Sequence, residues 1–365
     1  MYARSCFMRH KHILITGGCG FVGSSLALRL KEKFPQNRIT TVDNLSRKGS
    51  ELNRVRLLEA GIECKKDDVR YAETFTSFDS VDLILDCAAE PSVLAGKDGS
   101  PLYALETNLW GTVQVLELAR RTNAEIIFLS SSRVYPVREL NAIKIIETDT
   151  RFKIDPAQTM PGVTERGISE EFPMGKERTL YGATKLSSEM LIAEYALLYG
   201  TRAIINRCGV IAGPWQFGKV DQGIAVLWMA RHIFSNQKLS YIGWGGEGKQ
   251  VRDFLHPDDL FDALSYELEN FDALVGNTFN LGGGVSHSVS LQELTQICEK
   301  ITGRNIVIDS VPETRWGDVR LYISDNLRFE KISGLKPKRG VEVIMSDIHT
   351  WIINHKDILS PIFAA

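Results

Sequence analysis

The sequence predicts an α/β fold: a Rossmann-type, doubly wound parallel sheet followed by a smaller mixed α/β region towards the C-terminus. Three observations carry that expectation. Short apolar runs alternate with amphipathic stretches through the first half of the chain. The strand candidates are apolar on both faces, as strands covered by helices on two sides must be. After about Gly213, glycine, tryptophan and charged residues become frequent and the alternation stops.

His12–Thr16 is a short β-rich run. Val22, Leu26, Leu30 and Phe34 then recur every four residues, which is one face of a helix. Residues 39–43 form the next strand candidate, and 81–87, 125–129 and 202–206 continue the series. Helix-period stretches lie between them, notably 102–121 and 184–199. Residues 146–178 are polar and weakly periodic, and a segment of that length usually covers a site or sets its specificity. Glu147, Arg151 and Glu165 are its candidate ligand contacts. The expected division is residues 11–212 for the first domain and 213–365 for the second. The chain is expected to cross back to the first domain around 250–262.

The length of 365 residues allows one large or two intimate domains, at ~100–200 residues each. Apolar residues make up 44% and charged residues 24%, which is ordinary globular usage. A formal net charge of −2 argues against nucleic-acid or membrane-surface partners. The cysteines Cys6, Cys19, Cys64, Cys87, Cys208 and Cys298 form no Cys-x-x-Cys pair. They read as buried free thiols in a reducing compartment, with no metal expected. The first ten residues are basic without an apolar core, which reads as a leader and not a secretory signal. No apolar stretch approaches the ~18–20 residues of a membrane span. A soluble, cytoplasmic protein is expected.

The first motif is Gly17-Gly18-Cys19-Gly20-Phe21-Val22-Gly23, set between a strand and a helix. Gly17 can take the positive φ of a tight turn. Gly20 lets the backbone approach a pyrophosphate, and Gly23 lets the helix pack closely on the strand. The helix N-terminus then offers N–H groups and a positive dipole end to phosphate. Asp43 ends the next apolar run, 20 residues beyond Gly23, where a carboxylate accepts from both ribose hydroxyls and repels a 2′-phosphate. NAD is therefore favoured over NADP, with Arg47 and Lys48 close enough to soften the preference.

The second motif is Tyr181-Gly182-Ala183-Thr184-Lys185, which opens a helix and puts Tyr181 and Lys185 on one face. A nearby ammonium and a positive nicotinamide would each stabilise phenolate below the ordinary tyrosine pKa of ~10. Such a tyrosine can take a proton from a sugar hydroxyl while hydride leaves the same carbon. Ser130, Ser131 and Ser132 follow the run 125–129, at the strand end where ligands of open α/β sheets bind.

Residues 16–23, Asp43, 130–135 and 181–185 together resemble the extended short-chain dehydrogenase/reductase family. Asp68-Val69 resembles its adenine-contacting pair, Ala88-Ala89 its stretch beside the cofactor, and Asn108 its central-helix asparagine. The similarity runs from residue 12 to about 351. It implies Ser131, Tyr181 and Lys185 as the catalytic triad in an NAD-binding first domain. The expected cofactor contacts are Gly17, Gly20, Phe21, Val22, Gly23, Asp43, Asn44, Ser46, Arg47, Asp68, Val69, Ala88, Ala89, Asn108, Ser130, Tyr181 and Lys185. Helices 102–121 and 184–199 resemble the family's dimerisation pair, so a homodimer or higher homo-oligomer is expected.

Longer motifs narrow the resemblance. Asp43-Asn44-Leu45-Ser46-Arg47-Lys48-Gly49, Glu147-Thr148-Asp149-Thr150-Arg151-Phe152, Gln216-Phe217, Asp221-Gln222-Gly223 and Gly248-Lys249-Gln250-Val251-Arg252-Asp253 are similar to the CDP-paratose 2-epimerases. That group oxidises C2 of a CDP-linked deoxyhexose with tightly held NAD+, then returns hydride to the opposite face. The implied substrate contacts are Ser132, Arg133, Gln216, Gln222, Arg252 and Arg320, the last two as diphosphate clamps. Dehydratases of the family carry Asp-Glu after the triad hydroxyl, where this chain has Ser132 and Arg133, and neither is a carboxylic acid. A 4-epimerase, a reductase and a silent NAD-binding scaffold are the other readings. Pro136, Glu90 and Cys208-Gly209-Val210 depart from the family's usual residues.

Overall fold

β1 (His12–Thr16), β2 (Arg38–Asp43), β3 (Glu63–Lys66), β4 (Leu83–Asp86) and β5 (Glu125–Ser131) join two later strands, Ala203–Cys208 and Thr278–Leu281, in one seven-stranded sheet. From one edge the order is Thr278–Leu281, Ala203–Cys208, β5, β4, β1, β2, β3, with every neighbouring pair parallel. The structure, a computed structural model, describes residues 9–97, 99–217, 222–234 and 238–363. Cys6, Met8 and Asp221 lie outside the described residues.

Successive strand side chains alternate between two cores. Ile13 and Ile15 face one side, with Leu26 and Leu30 of α1 (Phe21–Lys33) and Leu260 and Leu264 of the helix Pro257–Glu269. Leu14, Ile84 and Ile126 face the other, with Val115, Leu116 and Ala119 of the helix Gly111–Thr122. Burial on both faces explains the unbroken apolar runs of β1, β4 and β5. Strand order reverses between β1 and β4, and the C-terminal ends of the sheet open a crevice there.

Several elements differ from expectation. The last sheet strand, Thr278–Leu281, lies far beyond the stretch where strand–helix alternation was visible. β3 has the sequence Glu-Cys-Lys-Lys at a sheet edge and so carries no apolar run. The stretch 102–121 is not one α-helix: Leu102–Leu105 passes into a π-helical turn, Glu106–Trp110, before Gly111–Thr122. The later helix starts at Leu180, where the Thr179 hydroxyl accepts from Gly182 N at 3.2 Å.

Residues 146–178 contain the short hairpin partners Phe152–Ile154, Val163–Thr164 and Gly167–Ile168. They are tied to the C-terminal region by Arg166–Asp325 at 3.1 Å and Arg151–Glu293 at 3.6 Å. Within that region Val251–Leu255 is the hub of a small sheet with Val210–Ile211, Ser288–Ser290 and Leu321–Tyr322. The helices Ile224–Phe234, Leu291–Thr302 and Val341–Asn354 share a separate apolar core. Cys19, Cys208 and Cys298 are buried free thiols, whereas Cys64 and Cys87 are only half-buried. Among the described residues no helix is long and apolar enough to cross a membrane.

Candidate active site

The crevice at the strand ends is a cleft of about 410 Å³. Its floor at one end is the turn from β1 into α1. Gly17 holds φ 61°, which lets the chain reverse there. A Cβ on Gly23 would lie 2.4 Å from the Gly17 carbonyl oxygen, so only glycine lets α1 approach this closely. At Gly20 an added Cβ would meet only that same oxygen, at 3.0 Å, and its open side is the cleft. α1 starts with no side-chain cap and no acid in its first turn, which leaves its positive end for an anion. Asp43 accepts from Cys19 N at 3.0 Å and Leu45 N at 2.8 Å, and burial pushes its pKa up. A Gly-lined turn, a bare helix N-terminus and an aspartate beyond them fit a dinucleotide.

The sheet's own hydroxyls set the middle of the cleft. Thr16 donates to Asp86 at 2.6 Å and accepts from Cys87 N and Ala88 N, each at 3.2 Å. That fixes the strand end carrying Ala88 and Ala89 on the cleft wall. At the far end the Tyr181 phenol and the Ser131 hydroxyl lie side by side on the cleft wall, and the serine favours the phenolate. One helical turn on, Lys185 is buried, and its Nζ donates to Leu129 O at 2.9 Å.

The helix bearing these residues is pinned below them. Glu189 takes Arg207 at 2.7 Å and accepts from the Ser130 hydroxyl. Arg207 also reaches the Tyr135 hydroxyl at 3.3 Å, which donates to Asn280 at 2.7 Å. This buried network joins β5, the helix and both later sheet strands.

Residues 13–282 match the family model described as the NAD dependent epimerase/dehydratase family. The chain belongs to that family. It is an NAD-dependent enzyme, with NAD as its cofactor. Among relatives of this family, the CDP-paratose 2-epimerase of Salmonella typhi is 28% identical over 93% of this chain and 98% of its own length. The UDP-glucose 4-epimerase of Halalkalibacterium halodurans is 26% identical over 94% and 96%. The solved structure of UDP-glucuronic acid 4-epimerase from Bacillus cereus, with UDP-glucuronic acid and NAD, superposes with a TM-score of 0.76. It is 21% identical and covers 94% of this chain and 99% of that one.

Most of the residues expected to hold the cofactor meet in the family's cleft: Gly17, Gly20, Phe21, Val22, Gly23, Asp43, Asn44, Ser46, Arg47, Val69, Ala88, Ala89, Ser130, Tyr181 and Lys185 line it, as do Ser131, Ser132, Arg133, Gln216 and Gln222. Four do not. Asp68 is bound by Arg70 at both oxygens, at 3.0 and 2.9 Å, and also accepts from Asn44 of the cleft at 2.9 Å. Asn108 is buried between two elements, bonded to the Glu90 backbone and to Thr184 at 3.2 Å. Arg252 pairs with Asp318 at 2.9 Å, and Arg320 lies over the Trp244 ring and donates to Asn141 O.

The surroundings set the electrostatics of the tyrosine. Lys185 was expected to lower the Tyr181 pKa. Burial instead pushes the phenol up to about 12, while Ser131 and Arg133 pull it down. The Lys185 ammonium is occupied by Leu129 O and lies 4.5 Å from the Phe128 ring centre, and burial lowers its own pKa. Arg133 is one cation that favours the Tyr181 phenolate.

The cleft also includes Cys19, Asn53, Tyr103 and Phe217. Tyr103 reaches the Ser46 hydroxyl at 3.1 Å, and Asn53 donates to Cys19 O at 3.1 Å. Phe217 was legible only as half of a family motif. Nothing in the local sequence marks Asn53 or Tyr103, because each gains its role from a partner distant in the chain.

Proposed function

We propose that this enzyme epimerises a nucleotide-linked sugar without net redox change, at C2 of CDP-paratose to give CDP-tyvelose. The single observation carrying the reading is that Tyr181 and Ser131 line the same cleft as the glycine turn. Bound NAD+ supplies a hydride acceptor and a positive ring. Tyr181 Oη takes the proton of the sugar hydroxyl, and Ser131 Oγ holds the oxygen as it becomes a carbonyl. The same carbon's hydride leaves in that step. Returning both to the keto sugar on its other face gives the epimer and restores the starting protein. Lys185 holds the base of the helix below the phenol.

Ser132 and Arg133 both line the cleft, and neither can protonate a leaving hydroxyl as a carboxylic acid, which argues against 4,6-dehydration. In this reading residues 11–212 hold the cofactor and 213–365 mainly the nucleotide sugar. Met190, Leu197 and Leu198 stand 64%, 80% and 65% exposed on the helix Leu180–Tyr199, which supports pairing of two copies there. The free thiols support a reducing, cytoplasmic setting.

The test is incubation of the purified, NAD-loaded protein with CDP-paratose. CDP-tyvelose should form with no added NAD and no net change in nicotinamide absorbance. A stoichiometric absorbance change makes the enzyme a reductase, and absence of conversion with NAD confirmed in place removes the C2 reading.

A further inference from the structure

Arg133 is a cation without an acid. It lines the cleft beside Ser131 and Tyr181. Its backbone N donates to Ser131 Oγ at 3.2 Å. Gly182, next to Tyr181, packs so tightly on it that a Cβ there would lie 2.0 Å from the Arg133 carbonyl oxygen. The arginine, the serine and the tyrosine therefore form one rigid corner. Of its guanidinium donors, Nη1 goes to Gly317 O at 3.1 Å. Among the described residues no carboxylate comes within ion-pair distance of it. The nearby acid, Asp318, is taken by Arg252 at 2.9 Å. Burial and the neighbouring Arg252 both disfavour the Arg133 charge, holding its pKa at about 10. A desolvated guanidinium facing a second one is costly unless an anion completes the site. A guanidinium suits phosphate, to which it donates in a bidentate fork.

We propose that Arg133 binds the glycosyl phosphate of the substrate and thereby selects the ring carbon that Tyr181 addresses. The inference rests on the nucleotide-sugar reading above and sharpens it. In a glycosyl diphosphate the C2 hydroxyl neighbours the anomeric oxygen, whereas the C4 hydroxyl lies across the ring. An anion subsite that shares a corner with the phenol brings C2 to Tyr181 and holds C4 away. Arg133 is thus a specificity determinant, with Arg252 adding positive potential behind it.

The test uses the NAD-loaded protein and its Arg133→Gln and Arg133→Lys variants, titrated with CDP and with CMP. CMP lacks the phosphate that Arg133 is assigned. The preference of wild type for CDP over CMP should fall about 10–100-fold in Arg133→Gln, with CMP affinity unchanged. Arg133→Lys should keep part of it, and this variant decides the matter if the glutamine variant fails to retain NAD. An unchanged CDP-to-CMP ratio overturns the proposal. So does a loss seen only with UDP-glucuronate, which would assign Arg133 to a sugar carboxylate. In a second arm, the keto sugar from an acid-quenched stoichiometric reaction is reduced with borodeuteride. Deuterium should appear at C2; deuterium at C4 overturns the regiochemical claim while leaving epimerisation intact. The CDP arm needs no turnover, so its result stands even where the epimerase reading fails.

Discussion

The two ends of the cleft are built in different ways. The end at Gly17–Gly23 is made of backbone: a positive-φ turn, a bare helix N-terminus and an aspartate held by two main-chain amides. The end at Ser131, Arg133 and Tyr181 is made of side chains, and one of them keeps a charge that no acid of the described chain answers. The first end depends on close backbone packing, tightest at Gly23. The second depends on the functional groups of its side chains. A backbone site is complete before its ligand arrives; a side-chain site of this kind waits for the ligand's charge.

The largest test of the contrast is Tyr181→Phe. Losing the phenolic proton carrier should lower kcat on the order of 10³-fold. NAD content measured on the same sample should stay at the wild-type level, because the glycine turn is untouched. Turnover near wild type would mean another group moves the proton. Gly23→Ala probes the opposite end. Its Cβ would press on Gly17 O at 2.4 Å and Gly18 Cα at 2.8 Å, so a loss of ~1–3 kcal/mol in stability is expected. Retained NAD should fall with it, read by denaturing release and by thermal melting; an unchanged melt with full NAD would refute the close-packing account.

Asp43→Asn is milder. It removes the charge that repels a 2′-phosphate, and the NAD-over-NADP preference should drop about tenfold, or ~1.4 kcal/mol, in a direct binding competition. The smallest expected effect is on pH dependence. Arg133 stabilises the phenolate of Tyr181, whose pKa burial holds up at about 12. Removing that cation in Arg133→Gln makes the phenolate harder to form, so the rising limb of kcat against pH should move to higher pH. A limb that stays put or moves down would contradict the coupling.

The same contrast explains what could be read from the chain. β1, β4, β5 and the strand Ala203–Cys208 announce themselves because covered strands must be apolar on both faces. The glycine turn, Asp43 and the Tyr181–Lys185 pair lie in short segments whose spacing carries the chemistry. The strand Thr278–Leu281 was invisible because its four residues are defined by pairing with Ala203–Cys208, not by periodicity. The Arg133 environment was equally hidden: its partner Gly317 stands 184 positions away. Asp68 pairs with Arg70, two residues on, a local contact that the family motif did not reveal. The Lys185 contact with Leu129 O was hidden because helical spacing fixes a face, not which carbonyl an ammonium finds.

The buried Glu189–Arg207 pair bears on how an epimerase reaches both faces of one carbon. It bolts the helix carrying Tyr181 to three sheet strands through Ser130, Arg207 and Asn280. Sliding or rolling that helix would strand a carboxylate and a guanidinium in a dry interior. The network therefore resists movement of the phenol. In the epimerase reading, presenting the second face then falls to the sugar rather than to that helix.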